Sequence, residues 1–180
     1  NEVDGMRNVM PGVKREWVDQ ILISDGGSTD GTLEAAREAG YEIFGQRRKG
    51  IRFGYIEAWP HIAGDVVITF SPDGNSIPEV IPQLIEKMAE GYDMVIASRY
   101  KDDAHSEDDT LLTGFGNWLF RTTIYALHGG RFTDAMVIYR AYRTSLFQEL
   151  GLHLDAGYRT PERLFNTVLG IEPLLSVRAA

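Results

Sequence analysis

The chain has 180 residues, a net charge of −8 and no cysteine. That length suits one domain with a sizeable core, and the acidic balance excludes the basic face that non-specific nucleic-acid binding needs. Disulfides and thiolate metal sites are excluded, no apolar run reaches the length of a membrane span, and no signal peptide is visible.

Residues 18–24 are β-branched and apolar and read as a buried strand. Asp30 then caps a helix whose apolar face is Leu33, Ala36 and Ala39, with Gly40 as its stop. Residues 41–44 form a short second strand, and 45–54 a basic, glycine-rich loop. A helix is predicted over 51–62, interrupted near Pro60, and the DVVITF run at 65–70 is the clearest strand. After the loop SPDGNSIPE, Pro78 opens a helix running to Glu90, and 93–98 is the next strand. This β-α-β-α-β-α-β order argues for an α/β fold with a mainly parallel sheet and helices on both faces. Residues 99–110 read as a loop, 111–128 as a long helix, and 134–142 as a strand or buried turn. Helices are predicted over 144–151 and 161–169, and a final strand over 171–177. No linker or repeat divides the chain, so 1–180 is expected to be one domain.

Ligands of open parallel sheets sit beyond the carboxyl ends of the strands. Three strand ends here carry polar clusters: SDGGSTD, SPDGNS and SRYKDD. In the first, Asp25 can accept hydrogen bonds from a base or ribose, and Ser28 can donate to phosphate or serve the helix end. The G-x-G-x-x-G and P-loop spacings are absent. In the second, Asp73 suits a hard divalent cation, Mg or Mn, that bridges to ligand phosphates; a plain Asp-Gly turn is the competing reading. The basic run holding Arg47, Arg48, Lys49 and Arg52 suits a diphosphate, although Arg47 and Arg48 read better as solvated surface. Arg99 follows a strand and either meets an anionic group or forms a structural ion pair. Asp134 and Glu162 are the candidates for a general base acting on an acceptor hydroxyl. The four histidines are scattered without metal-ligand spacing.

Taken in order, NE, SDGGSTDGT, RKGIRFG, GDVVITFSPDG, ASRY and TDAMVIYRAYR resemble glycosyltransferase family 2, nearest to its dolichol-phosphate mannose synthase-like enzymes. The resemblance runs from Asn1 to about Arg143. It implies a GT-A fold, a nucleotide-diphosphate sugar as donor and a divalent cation. By position, Glu2 and Asp25 match nucleotide-binding acids, and Lys49 and Gly50 match a lysine-glycine loop near the donor. Asp73 matches the last acid of an Asp-x-Asp motif, Arg99 the arginine of Gly-Ser-Arg-Tyr, and Asp134 the aspartate ahead of Ser-Gly-Phe-Arg.

Five departures accompany the match. Ser71 stands where the first acid of Asp-x-Asp is usual, and a neutral ligand weakens the hold on a cation. Ala97 replaces a glycine, and Val137-Ile138-Tyr139 replaces Ser-Gly-Phe. Residues 108–115 show no second arginine for a lipid phosphate. The chain opens at Asn1 rather than Met, without the family's first strand, which is expected to be supplied from outside these residues.

The expected activity is sugar transfer to a lipid-linked phosphate such as polyprenyl phosphate, or to a growing surface glycan in cell-envelope glycan biosynthesis. The expected location is cytoplasmic or peripheral at the membrane, with oligomerisation left open. The alternatives are a nucleotide-sugar-binding module without catalysis, and a nucleotidyltransferase.

Overall fold

The computed structural model of the chain describes residues 1–100, 111–130 and 132–180. The loop expected over 99–110 therefore lies outside the described residues beyond Tyr100. The first element is a helix that the sequence reading did not assign, α1 (Val3–Asn8), followed by two short 3-10 turns. Strand β1 (Leu22–Asp25) comes next, then α2 (Thr32–Glu38), β2 (Glu42–Gly45), α3 (Ile51–Ala58), β3 (Val66–Thr69) and α4 (Ile81–Ala89). Strand β4 (Met94–Ile96), α5 (Leu111–His128), β5 (Arg140–Arg143), α6 (Ser145–Glu149), α7 (Ala156–Phe165) and α8 (Glu172–Arg178) complete the order.

Strands β1 and β2 pair in parallel, as a βαβ unit requires. The second sheet has the order β3-β5-β4. β5 runs antiparallel to both neighbours, so it separates two strands that follow one another in the α/β alternation. The α/β reading holds; the insertion of a reversed strand between β3 and β4 did not show in the periodicity.

Alternation along β5 explains why helices cover both faces. Ala141 faces the same side as its ladder partners Ile68 and Val95, and packs with Met6, Ala36, Ile81, Leu84 and Met88. Tyr142, one residue on, faces the other side with Val67 and Met94, and packs with Leu146, Phe147, Leu152, Ile171 and Leu175. A period of two thus divides one strand between two cores. In the second core the Trp59 ring stacks on Phe147 at 3.9 Å between centroids.

Two boundaries differ from the sequence reading. Residues 171–177 are not a strand: Glu172–Arg178 is helical, with Pro173 in its first turn and Glu172, Leu175 and Ser176 buried. That spacing of three and four is helical, and the apolar run alone could not distinguish it from period two. The helix expected over 161–169 instead starts at Ala156 and contains Pro161. It stops at Asn166, whose φ of 49° lies in the left-handed region that ends helices.

Candidate functional site

The polar clusters follow the ends of three strands. Asp25 is the last residue of β1 and is buried. Its Oδ2 accepts the Gly27 N–H at 2.8 Å, and both carboxylate oxygens accept the Ser28 N–H at 3.2 Å. Burial alone would raise the Asp25 pKa, but the hydrogen bonds from the Ser28 hydroxyl and from the Gly27 and Ser28 amides outweigh it, so the net shift is downward. The carboxylate is therefore a charged, oriented acceptor at the floor of the loop. Gly27 has a φ of 105°, a conformation that spares the turn any Cβ clash.

α1 joins this loop to the second cluster. At its start, the Glu2 N–H donates to Thr32 Oγ1 at 2.8 Å, and the Val3 N–H donates to Asp30 Oδ2 at 3.2 Å. Asn1 Oδ1 accepts the Thr29 N–H at 2.9 Å. One turn further along, a methyl group at Gly5 would overlap the carbonyl of Pro72 in SPDGNS. A six-residue helix is only about 9 Å long, so α1 brings the SDGGSTD loop and the SPDGNS turn near one another. Asn1 and Gly5 were not singled out in the sequence, because nothing local marks a residue as a bridge between two distant loops.

Asp30 also binds Thr32, accepting its N–H at 3.1 Å and its hydroxyl at 2.5 Å. The hydroxyl bond, reinforced by the Val3 and Thr32 amides and opposed by desolvation, holds the Asp30 pKa down at about 2 from 3.8. A depressed carboxylate contributes stability above its unfolded pKa and loses it as pH falls through the folded one. The junction of α1 with the SDGGSTD loop is therefore expected to loosen between pH 3.8 and about 2. Amide exchange of Val3 and Thr32 checks this: protection should fall across that window in the native chain, and should show no such fall in Asp30→Asn, which has no group to titrate there.

The loop after β2 lies beside the loop after β1, since the Gln46 N–H donates to Asp25 O at 2.9 Å. Within the basic run, Arg48 Nε meets Glu57 Oε1 at 2.7 Å and its guanidinium lies 4.1 Å from the Phe53 ring, while the Arg47 N–H also binds Glu57. These contacts fit the surface reading of both arginines. Lys49 is exposed. Gly50, with a φ of 113°, precedes α3 and accepts the Phe53 and Gly54 amides.

In the second cluster, Asp73 is exposed, and its Oδ1 accepts the Asn75 N–H at 3.0 Å. The Ser71 N–H donates to Ser76 Oγ at 3.4 Å. Among the described residues no group of three or more His, Cys, Asp or Glu could hold a metal. One exposed carboxylate with hydroxyl and amide oxygens nearby is a hard but sparse donor set. It fits a cation that shares its coordination with ligand phosphates rather than one caged by protein.

The third cluster is a pair. Arg99 Nε meets Asp134 Oδ2 at 2.7 Å and Nη2 meets Oδ1 at 3.2 Å, a fork-to-fork contact. Asp134 also accepts the Arg99 and Met136 amides. Glu162, the other base candidate, lies 3.2 Å from Arg52 Nη2 and accepts the Leu169 N–H. The structure thus joins Arg99 to Asp134 and Arg52 to Glu162, and both carboxylates are held by arginines. Beside Arg99 opens an apolar groove of about 650 Å³ between α5, α7 and α8, lined among others by Phe120, Tyr158, Phe165 and Leu174. The sequence reading missed the groove, because its walls come from three separated helices.

A profile described as glycosyl transferase family 2 matches residues 14–151. A glycosyltransferase of Haloferax volcanii, AglJ, is 31% identical over 156 residues, covering 86% of this chain and 51% of its own length. An undecaprenyl-phosphate 4-deoxy-4-formamido-L-arabinose transferase of Klebsiella pneumoniae is 28% identical over 138 residues, covering 73% of this chain and 41% of its own. The chain thus spans about half the length of the curated relatives it matches. Among solved structures, glucosyl-3-phosphoglycerate synthase of Mycobacterium tuberculosis in complex with Mn2+, UDP and glucosyl-3-phosphoglycerate superposes with a TM-score of 0.65 at 22% identity, covering 91% of this chain and 63% of that one.

Proposed function

The chain belongs to glycosyl transferase family 2, and from that premise we propose that residues 1–180 form a sugar-transfer domain with a nucleotide-diphosphate sugar as donor and a polyprenyl phosphate as acceptor. The observation that carries this reading is the meeting of the SDGGSTDGT loop and the SPDGNS turn against α1. On this reading Asp25 and Glu2 receive the nucleoside, Ser28 and the Lys49-Gly50 loop receive the diphosphate, and Asp73 holds the divalent cation. The relatives support the ligand classes: one is named for undecaprenyl phosphate, and the structural neighbour was solved with UDP and Mn2+.

A cation at Asp73 would supply positive charge to the leaving diphosphate. The chain's own part is orientation. The Gly27 and Ser28 amides fix the Asp25 carboxylate, so its orientation is set before binding, and the exposed Lys49 adds a cation on the neighbouring loop.

The acceptor assignment rests on the base candidates. Asp134 and Glu162 are each occupied by an arginine, so neither is an idle base. A phosphate arrives already deprotonated and needs none, and the apolar groove beside Arg99 suits an isoprenoid chain. Arg99 then exchanges part of its hold on Asp134 for the acceptor phosphate. A donor-binding module without catalysis is the second reading; Ser71 in place of an acid favours it.

The test is a thermal-shift screen of nucleoside diphosphates and their sugars, with and without manganese. At a ligand concentration a hundred times Kd, stabilisation of about 2.7 kcal/mol is expected. Turnover to polyprenyl phosphate separates the two readings. A protein indifferent to every nucleotide would remove both.

A further inference from the structure

We propose that Arg52 is a positioning residue: through Glu162 it ties the Lys49-Gly50 loop to the wall of the apolar groove, so that the two places keep one spacing and bind their ligands cooperatively. This role rests on the reading of the loop as donor site and the groove as acceptor site.

Three successive residues make the join. A methyl group at Gly50 would lie 3.3 Å from Val168 Cγ1, and one at Gly170 would lie 3.4 Å from Ile51 Cγ2. Next in the chain, Arg52 is 4% exposed, and its Nη2 lies 3.2 Å from Glu162 Oε1 and 3.3 Å from Oε2. Glu162 Oε1 also accepts the Leu169 N–H at 3.1 Å. Tyr158, Phe165, Leu169 and Gly170 line the groove. One carboxylate therefore holds both the start of α3, which follows Lys49-Gly50, and the segment after α7 that walls the groove.

Stability does not account for an arginine at this position. Its Nε and Nη1 are buried and, among the described residues, have no hydrogen-bond partner, although Nη1 lies 3.7 Å from Asp155 Oδ1. Buried donors left without partners cost stability. The guanidinium lies 4.8 Å from the Phe53 ring and 4.2 Å from the Tyr158 ring, a place that an apolar side chain of similar length would also fill. What the guanidinium adds is direction, a charge-assisted bond between α3 and α7 across 110 residues of chain. Asp155 precedes α7 and Glu162 lies near its end, so Arg52 addresses that helix at two points.

The experiment measures binding to the full chain in both orders. Farnesyl phosphate, a short isoprenyl phosphate, is titrated with and without UDP or GDP in the presence of manganese. In the native chain the nucleotide should tighten farnesyl phosphate about fivefold or more, and farnesyl phosphate should tighten the nucleotide by the same factor. In Arg52→Met the factor should fall to about one, while the nucleotide alone binds within about twofold of native. Exchange of the Leu169 amide should slow with nucleotide in the native chain and not in the variant. Arg52→Lys keeps the charge and should restore part of the coupling, whereas a packing role would leave the Met and Lys variants alike. Glu162→Gln keeps an acceptor for the Leu169 amide and removes the charge from the half-buried end of the pair. It should lower the factor to about two, and it provides the reading if Arg52→Met does not fold. A native factor near one, or a native factor that survives in the variants, overturns the role of Arg52 and leaves the donor reading standing. A native chain that binds neither nucleotide removes the donor reading and this role with it.

Discussion

Asp73→Asn is expected to abolish measurable sugar transfer, by about a hundredfold to a thousandfold, while leaving the fold intact. The two halves of this expectation have separate physical grounds. Asp73 is exposed and its one hydrogen bond among the described residues runs from the Asn75 amide to Oδ1, a bond the asparagine carbonyl can keep. An exposed, isosteric change of this kind alters stability by no more than about 0.5 kcal/mol. The loss of charge is another matter. Ser71 offers the cation no second carboxylate, so Asp73 contributes the only negative charge of the SPDGNS turn. On the proposed reading, removing it would weaken the hold on the cation that offsets charge on the leaving diphosphate, and lost electrostatic stabilisation of that type costs about 3 to 4 kcal/mol. Thermal denaturation and turnover measured on the same preparation check both halves. Native turnover by Asp73→Asn would withdraw the metal assignment, and restoration by excess manganese would show weakened affinity rather than a lost role.

Arg99→Ala is expected to be the more damaging substitution for stability, at about 3 kcal/mol or more. The asymmetry of burial within the pair decides this. The Asp134 side chain is 0% exposed and that of Arg99 is 31% exposed. Removing the arginine strands a carboxylate away from water with, among the described residues, only backbone amides donating to it, and an unpaired buried charge costs about 3 to 5 kcal/mol. Asp134→Ala leaves a guanidinium that can still reach solvent, so its cost is smaller. Against a typical total stability of about 5 to 15 kcal/mol, the first loss is a large fraction. Urea denaturation of both single variants and of Arg99→Ala/Asp134→Asn provides the check. The double variant should recover part of the loss, because a neutral amide replaces the stranded charge. Equal losses in the two single variants would mean that the pair is wetter than its geometry indicates.

How far the sequence led can be judged on particular residues. The positions of Asp25, Ser28 and Asp73 at or just beyond strand ends were legible because each comes soon after an apolar, β-branched run, and strand ends in an α/β alternation face one rim. The pairing of Arg99 with Asp134 was legible only as one of two options, since the partners are 35 residues apart and no local pattern joins them. Glu162 illustrates the opposite limit. Its position ahead of an apolar stretch gave no hint of Arg52, which is 110 residues away. The final helix was misread as a strand because Ile171, Leu174 and Leu175 satisfy either period over so short a run.

Class of fold, family likeness and the order of elements from β1 to β4 were determined by the sequence alone, because they depend on local periodicity and on short motifs read in succession. The place of β5 between β3 and β4, the service of α1 as a brace between two loops and the occupation of both candidate bases by arginines were decided only in three dimensions. Each of these depends on which distant surfaces meet. A chain of side chains states what every residue can offer, and the packing of the helices on the two sheets selects which offers find a partner.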